Sequence, residues 1–191
     1  LAAECCLAKE VVMRKPIWLL TGAILIGLVL DGGSAGAQSP SVEQLLDTKT
    51  VEGWLVERAR NRLHQQITSS VVRTDRGHSI GIVCVNGTFQ LVVSPQAVGV
   101  GSPARFTFRI DERPMRAIPA ELAPGSQDYV IDRERAGGLL VEMASGREMY
   151  AELAGPYRTV TFALRVAGFK AALGLAPECR VVSNVIQRLA Q

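Results

Sequence analysis

The sequence predicts a mainly β (α+β) fold: an antiparallel β-sandwich or partial barrel, with one or two C-terminal helices packed on a sheet and one disulfide. Three observations support this fold class. About seven or eight short segments alternate apolar and polar residues, as strands of such folds do. Two of these segments flank Asn86-Gly87, the strongest short hairpin signal. After residue 166 the spacing of apolar residues becomes helical. Cys84 lies in the hairpin and Cys179 lies in this helical region.

The best-defined element is the hairpin "SIGIVCVNGTFQLVVS", residues 79–94. A type I′ turn at Asn86-Gly87 needs positive φ at both central residues, and it places Cys84 opposite Phe89. Because side chains alternate between the two faces of a strand, one face collects apolar residues and the cysteine. These are Ile80, Ile82, Cys84, Phe89, Leu91 and Val93. We therefore expect Cys84 to point into the core.

The other elements follow from the same periodicities. A strand with Trp54 and Val56 on one face opens the ordered part, and residues 65–73 form the next strand. Further strands are expected at residues 105–111, 113–120, 148–153 and 157–166, with Phe106, Phe108, Ile110, Val160, Phe162 and Leu164 facing inward. Helical spacing predicts a short helix through Leu139, Leu140 and Met143 that ends at Gly146, and helical segments over 167–175 and 179–190. A further short helix is expected around residues 42–46.

Residues 13–37 have the pattern of a cleaved secretory signal peptide. Met13 opens a basic stretch, residues 17–30 are an apolar run shorter than a membrane span, and Ala35-Gly36-Ala37 supplies small residues for cleavage before Gln38. An uncleaved anchor is the alternative. The domain organisation predicted is an upstream segment and signal peptide (1–37), a loose N-terminal arm (38–52) and a single β-rich domain (53–191).

The charge of the chain is mildly positive, with a formal net charge of +3 at pH 7. This is too little to indicate nucleic acid or an anionic membrane as a partner, and no membrane span is expected in the mature chain. The densest positive region is Arg58, Arg60 and Arg62. A solvated strand end explains this region better than a phosphate or lipid site does.

The cysteines indicate an oxidising compartment. The chain has four, and removal of residues 1–37 leaves Cys84 and Cys179. An even number in an exported protein favours one disulfide between them. A metal site is weakly supported, because C-x-x-C is absent and His64 and His78 lack ligand spacing. No cofactor is expected.

No catalytic constellation is recognisable in the sequence. Asp75, His78 and Ser79 are neighbours along the chain, but a triad is normally assembled from separate elements. Two of three nearby acidic residues could act as general acid and base. We expect all three to be exposed to solvent instead: Glu142, Glu148 and Glu152. Arg109 and Asp111 lie on one strand face, where a surface pair is favoured over a ligand clamp.

Four segments together resemble a family of small periplasmic proteins. They are "GWLV", "IGIVCVNGTFQLVV", "FRID" and "FALRVAGFKAALGLAPEC", within residues 53–179. The chain resembles the type VI secretion-associated periplasmic protein family of proteobacteria and, more loosely, the invasion-associated locus B family. The resemblance implies scaffold roles for Trp54, Cys84, Arg109, Asp111, Phe162, Gly168 and Cys179. It implies no catalytic residues.

Two classes of function follow from these observations. The favoured class is a non-enzymatic accessory or binding protein of the periplasm or cell envelope, or a secreted one, associated with a secretion or host-interaction system. Its partner would be another envelope protein or an unidentified ligand, bound through a face or edge of the sheet. The alternative is a periplasmic enzyme of hydrolase type whose site cannot be read from the sequence.

Overall fold

Ten antiparallel strands form one sheet in the computed structural model, which describes residues 43–96 and 99–191. The strands are β1 (Glu43–Val51), β2 (Trp54–Asn61), β3 (Ile67–Asp75), β4 (His78–Val85), β5 (Thr88–Ser94), β6 (Ala104–Ile110), β7 (Arg116–Leu122), β8 (Tyr129–Ile131), β9 (Glu148–Ala154) and β10 (Thr159–Arg165). The helices are α1 (Arg133–Ser145), α2 (Phe169–Gly174) and α3 (Arg180–Leu189), with a single 3-10 turn at Pro177–Cys179. The predicted mainly β class is confirmed. The expected signal peptide and its cleavage site lie outside the described residues.

The sheet folds over on itself without closing. Its strand order is β1-β2-β3-β4-β5-β8-β7-β6-β9-β10, and β10 contacts β3 and β4. The Phe162 ring of β10 stacks on the His78 ring of β4, with centroids 4.9 Å apart. Between the two halves of the sheet, β7 and β8 pair only at Glu121 and Leu122. The result is an open arrangement in which β1 and β10 are the edge strands of the sheet as described.

The core lies between the two halves of the sheet and under the helices. Alternate residues of β2, β4, β5, β6, β9 and β10 point into it, as the alternation in the sequence predicts. The inward residues predicted for the strands are buried: Trp54, Val56, Phe106, Phe108, Ile110, Val160, Phe162 and Leu164. Burial of these side chains is the main source of stability.

The hairpin has the predicted turn and register. Asn86 and Gly87 have φ values of 49° and 69°, and Cys84 pairs with Phe89. The predicted inward face is fully buried, with Cys84 and Leu91 at 0% exposure. A turn with two left-handed residues matches the twist of the flanking strands, which is why Asn-Gly is favoured there.

The three helices predicted in the second half of the chain are present and lie over the β2–β5 half of the sheet. The Asp132 side chain accepts a hydrogen bond from the Glu134 N–H at 2.7 Å and so caps α1, which ends before Gly146 as predicted. On α2, Phe169 contacts Trp54 at 5.0 Å between ring centroids. The Trp54 Nε1–H donates to the Ala167 carbonyl at 2.8 Å. This bond satisfies the polar atom of a fully buried side chain.

Two features differ from the sequence-based prediction. Residues 43–46, expected as a short helix in a loose arm, belong to β1, which pairs with β2 along its length. Leu45 is 60% exposed, so no alternation revealed this strand, and its pairing with β2 overrides the local helical preference. The second difference is β8, whose three residues are too few to show a period.

We expect Gly87→Val to destabilise the fold. Valine strongly resists a φ of 69°, so the turn must distort, at a cost of about 1–3 kcal/mol in the free energy of unfolding. Urea unfolding of the oxidised protein measures this change. Gln90→Val on β5 adds the same side chain at an ordinary strand position and serves as the control. Equal stability of the two variants would contradict the assigned turn.

Candidate functional site

The disulfide between Cys84 and Cys179 joins the sheet to the C-terminal helices. The two Cα atoms are 5.2 Å apart, and the bridge closes a sequence separation of 95 residues. Both cysteines are fully buried. The predicted bridge is thus confirmed, and a cross-link over so long a loop contributes about 4–5 kcal/mol in the chain-entropy description.

An ion pair lies directly beside this disulfide. The Arg58 guanidinium donates to both carboxylate oxygens of Glu178, with Nη2–Oε1 at 2.6 Å and Nε–Oε2 at 3.1 Å. The buried Ser69 hydroxyl donates to Oε2 as well. The hydrogen bond from Arg58 lowers the pKa of Glu178 to about 2, although burial opposes this shift and Ser69 supports it. Bidentate geometry makes this a strong pair.

The position of Arg58 corrects the expectation of a solvated basic region. Its side chain is only 28% exposed and its guanidinium is engaged by Glu178, so it does not act as a free cation. Arg60 is half-buried on the same strand, whereas Arg62 is exposed in the following turn. No phosphate or lipid site is assembled from the three. The Arg58–Glu178–Ser69 cluster instead ties β2 and β3 to the segment that carries Cys179.

Arg109 and Asp111 do not form the expected surface pair. Asp111 has a φ of 53°, and its carboxylate accepts hydrogen bonds from the backbone N–H groups of Arg147 at 3.1 Å and Glu148 at 3.0 Å. The bond from Glu148, followed by that from Arg147, lowers the pKa of Asp111. Asp111 therefore joins the end of β6 to the start of β9. Arg109 lies over the Tyr150 ring, 5.4 Å from its centroid.

A groove of about 460 Å³ crosses the outer face of β6, β9 and β10. Its lining includes Thr107, Arg109, Met115, Tyr150, Thr161 and Ala163. The register explains the grouping, because Arg109, Tyr150 and Ala163 lie side by side on the three strands, as do Thr107, Glu152 and Thr161. Small side chains on β10 leave room beside the Tyr150 ring. We call this surface the outer-face groove.

The outer-face groove combines apolar surface with fixed charges. Met115 is 69% exposed and Tyr150 is 47% exposed, so both present apolar surface to solvent. The Tyr150 hydroxyl donates to Glu148 Oε2 at 3.1 Å, which orients the ring from one side while Arg109 covers its face. Tyrosine, methionine and arginine are the residues enriched in protein interfaces. Of the site residues predicted from the sequence, the groove contains Arg109.

The acidic residues considered for acid–base work are not assembled. Glu142 lies on α1, where it is buried and pairs with Arg116 at 3.0 Å, contrary to the expectation of solvent exposure. Glu148 and Glu152 lie on the outer face of β9. Arg116, the partner of Glu142, lies on β7 and is distant in sequence, so no local pattern indicates this pair. These carboxylates therefore define no acid–base pair.

The Asp75, His78 and Ser79 group does not form a triad. His78 Nδ1 accepts a hydrogen bond from the Gln96 backbone N–H at 3.1 Å, and its ring is stacked on Phe162. Asp75 and His78 face each other across the β3–β4 turn, while Ser79 pairs with Thr74. His78 thus acts as a packing residue between the halves of the sheet.

Within residues 43–96 and 99–191, no group of three or more His, Cys, Asp or Glu side chains could hold a metal ion. In that same part of the chain, every helix is too short or too polar to cross a membrane. No family model, curated protein or solved structure matches this chain.

We expect acid to weaken the fold through Glu178. Its pKa is lower in the folded chain, about 2, than in the unfolded chain, so its contribution is complete above about pH 4.5 and is lost as the pH falls toward 2. Glu178→Gln should lower the free energy of unfolding at pH 7 by roughly 1–3 kcal/mol and flatten its decline between pH 5 and pH 2. Denaturant unfolding across this range measures both effects. Glu112→Gln, on an exposed turn, is the control. Parallel pH profiles of Glu178→Gln and the unaltered chain would show that the ion pair contributes little.

Proposed function

We propose that this chain is an exported, non-enzymatic binding or accessory protein of the bacterial cell envelope, and that it binds a partner protein through the outer-face groove. The observation that carries the proposal is the half-exposed Tyr150 ring, oriented by Glu148 and covered by Arg109 within an open groove. Tyrosine is enriched at protein interfaces because its ring is apolar and its hydroxyl is polar, and here the ring is held in an open groove next to exposed Met115.

Two independent features support the proposed location. Disulfides persist in oxidising compartments, and the Cys84–Cys179 bridge is an internal cross-link of the scaffold. The sequence of residues 13–37 has the basic, apolar and small-residue regions of a signal peptide. Both features support a periplasmic location. Association with a secretion or host-interaction system is suggested by the family resemblance.

The scaffold suits a binding role because the groove is held on regular strands. Three adjacent strands position Arg109, Tyr150 and Ala163, and the Asp111 hydrogen bonds fix the end of β6 against β9. Side chains on paired strands are placed more accurately than those on loops. The partner therefore meets a preformed surface, which limits the ordering cost of binding.

We expect export with cleavage between Ala37 and Gln38. N-terminal sequencing of the exported chain should begin at Gln38, because the small residues Ala35 and Ala37 fit the peptidase. Ala37→Leu should block cleavage and serves as the control. Membrane-bound material that retains Met13 would contradict the expected processing.

We expect a partner protein to be cross-linked in living cells by a photoreactive residue placed in the groove. A photo-cross-linking phenylalanine analogue at Met115 should give a discrete adduct, whereas the same analogue at exposed Leu63 on the β2–β3 turn should not. Tyr150→Ala should weaken the adduct about tenfold, since an aromatic anchor typically contributes more than 1 kcal/mol to an interface. Adducts of equal yield from both positions, or none from Met115, would contradict the groove as the binding surface.

A further inference from the structure

Within residues 43–96 and 99–191, one edge of β10 has backbone groups that pair with no other strand. At the two ends of the β9–β10 hairpin, the Val166 N–H donates to the Arg147 carbonyl at 2.8 Å and the Gly155 N–H donates to the Arg158 carbonyl at 3.0 Å. Hydrogen-bonded pairs recur at every second residue of an antiparallel ladder, so the even-numbered residues of β10 bond to β9. The N–H and C=O groups of Thr159, Thr161, Ala163 and Arg165 consequently point away from β9. Because β10 is the last strand in the order, these groups form the edge.

The two edges of the sheet differ in how they resist pairing. On β1 the register shifts between Leu45 and Asp47, and Asp47 forms an ion pair with Lys49 at 2.8 Å. Irregular register and charged side chains are the usual protections of an edge strand. β10 has continuous register, no proline and a charge only at Arg165. It is the edge on which a further strand can pair.

The free edge and the outer-face groove share residues. Thr161 and Ala163 line the groove with their side chains and carry unpaired backbone groups on the edge. A strand added beside β10 would place alternate side chains on this same face. Because Ala163 is small, a large apolar side chain of the added strand could reach across it to the Tyr150 ring on β9. Edge and groove together thus form one recognition surface.

The charges at the edge favour an acidic partner. Arg158 and Arg165 are exposed at the two ends of β10, and the strand itself contains no acidic residue. Glu148 lies opposite Arg165 and Glu152 lies opposite Thr161, so acidic side chains already face these parts of β10. Arg158 lies opposite Gly155 instead, which makes its end of the strand the place for a partner carboxylate. A second copy of this chain paired antiparallel along its full edge would bring its own Arg158 next to Arg165, which is unfavourable. A partner segment with carboxylates at its ends avoids this repulsion.

We propose that β10 binds an extended segment of a partner protein as an added strand, with an apolar or aromatic side chain in the outer-face groove and a carboxylate near Arg158. The inference rests on the binding function proposed above and specifies the chemistry of its partner. The mode of recognition is strand addition, in which backbone bonds provide affinity and side-chain pockets provide selectivity.

The test begins with a displayed library of random short peptides selected on the exported chain. We expect enriched peptides to alternate β-branched or aromatic residues and to carry aspartate or glutamate near one end. With a synthetic copy of the best peptide, amide hydrogen exchange should slow at Thr161 and Ala163, whereas Phe162 and Leu164, already bonded to β9, should change little. This alternation distinguishes strand addition from binding of side chains alone.

Two variants extend the test. Ala163→Pro removes one unpaired N–H and should weaken the peptide about tenfold, while Ala163→Ser keeps the N–H and serves as its control. Arg158→Glu should shift selection toward basic peptides, and Arg62→Glu, on the β2–β3 turn, should not. If Ala163→Pro fails to fold, the exchange pattern and the Arg158 variant still decide the matter.

Several outcomes would overturn strand addition. They are failure to enrich any peptide, equal affinity for the proline and serine variants, or slowed exchange without alternation. Concentration-dependent dimerisation that Ala163→Pro abolishes would identify a second copy as the occupant instead. If the Met115 adduct depends on Tyr150 but not on Ala163, the binding function would stand and strand addition would be rejected.

Discussion

The attachment of the C-terminal helices to the sheet depends on one short segment, residues 177–179, which is held covalently and electrostatically. Cys179 is bonded to Cys84 on β4, and the adjacent Glu178 is bonded to Arg58 on β2 and Ser69 on β3. Three consecutive strands are thereby tied to one turn. The α2 and α3 helices on either side of the turn can then cover the apolar face of β2–β5, which would otherwise be exposed to water.

This arrangement leaves the other half of the sheet with a free outer face. The inward side chains of β6, β9 and β10 fill the core, while Arg109, Tyr150 and Thr161 point outward with no helix over them. The residues that fill the core and the residues that are open to solvent are therefore different side chains of the same strands. Substitutions at these three outward-facing residues should therefore have little effect on the fold, because they remove no core contact.

The sequence was most informative where structure is determined locally. Asn86-Gly87 and the flanking alternation specify the hairpin, its register and the inward direction of Cys84. The proximity of Arg109 to Tyr150 could not be predicted, because β6 pairs with β9 across a long stretch of chain that includes β7, β8 and α1. The burial of Glu142 and the role of Glu178 likewise depend on partners in distant elements. The sequence around Tyr150 is that of any strand position that faces outward, so nothing local distinguishes it as a groove residue.

The two-residue ladder between β7 and β8 is the thinnest connection in the sheet as described and divides it into two regions. The β1–β5 half contains the disulfide, whereas the half that carries the groove pairs with β8 through Glu121 and Leu122 and otherwise meets the first half through packed side chains such as Phe162 on His78. Cooperative units in proteins tend to separate at such thin connections. The strands β6, β7, β9 and β10 pair with one another through ladders of five to seven residues and so form one unit with the thin connection at its boundary. A partner strand bound as proposed above would add a further ladder to this unit and stabilise it relative to the rest of the sheet.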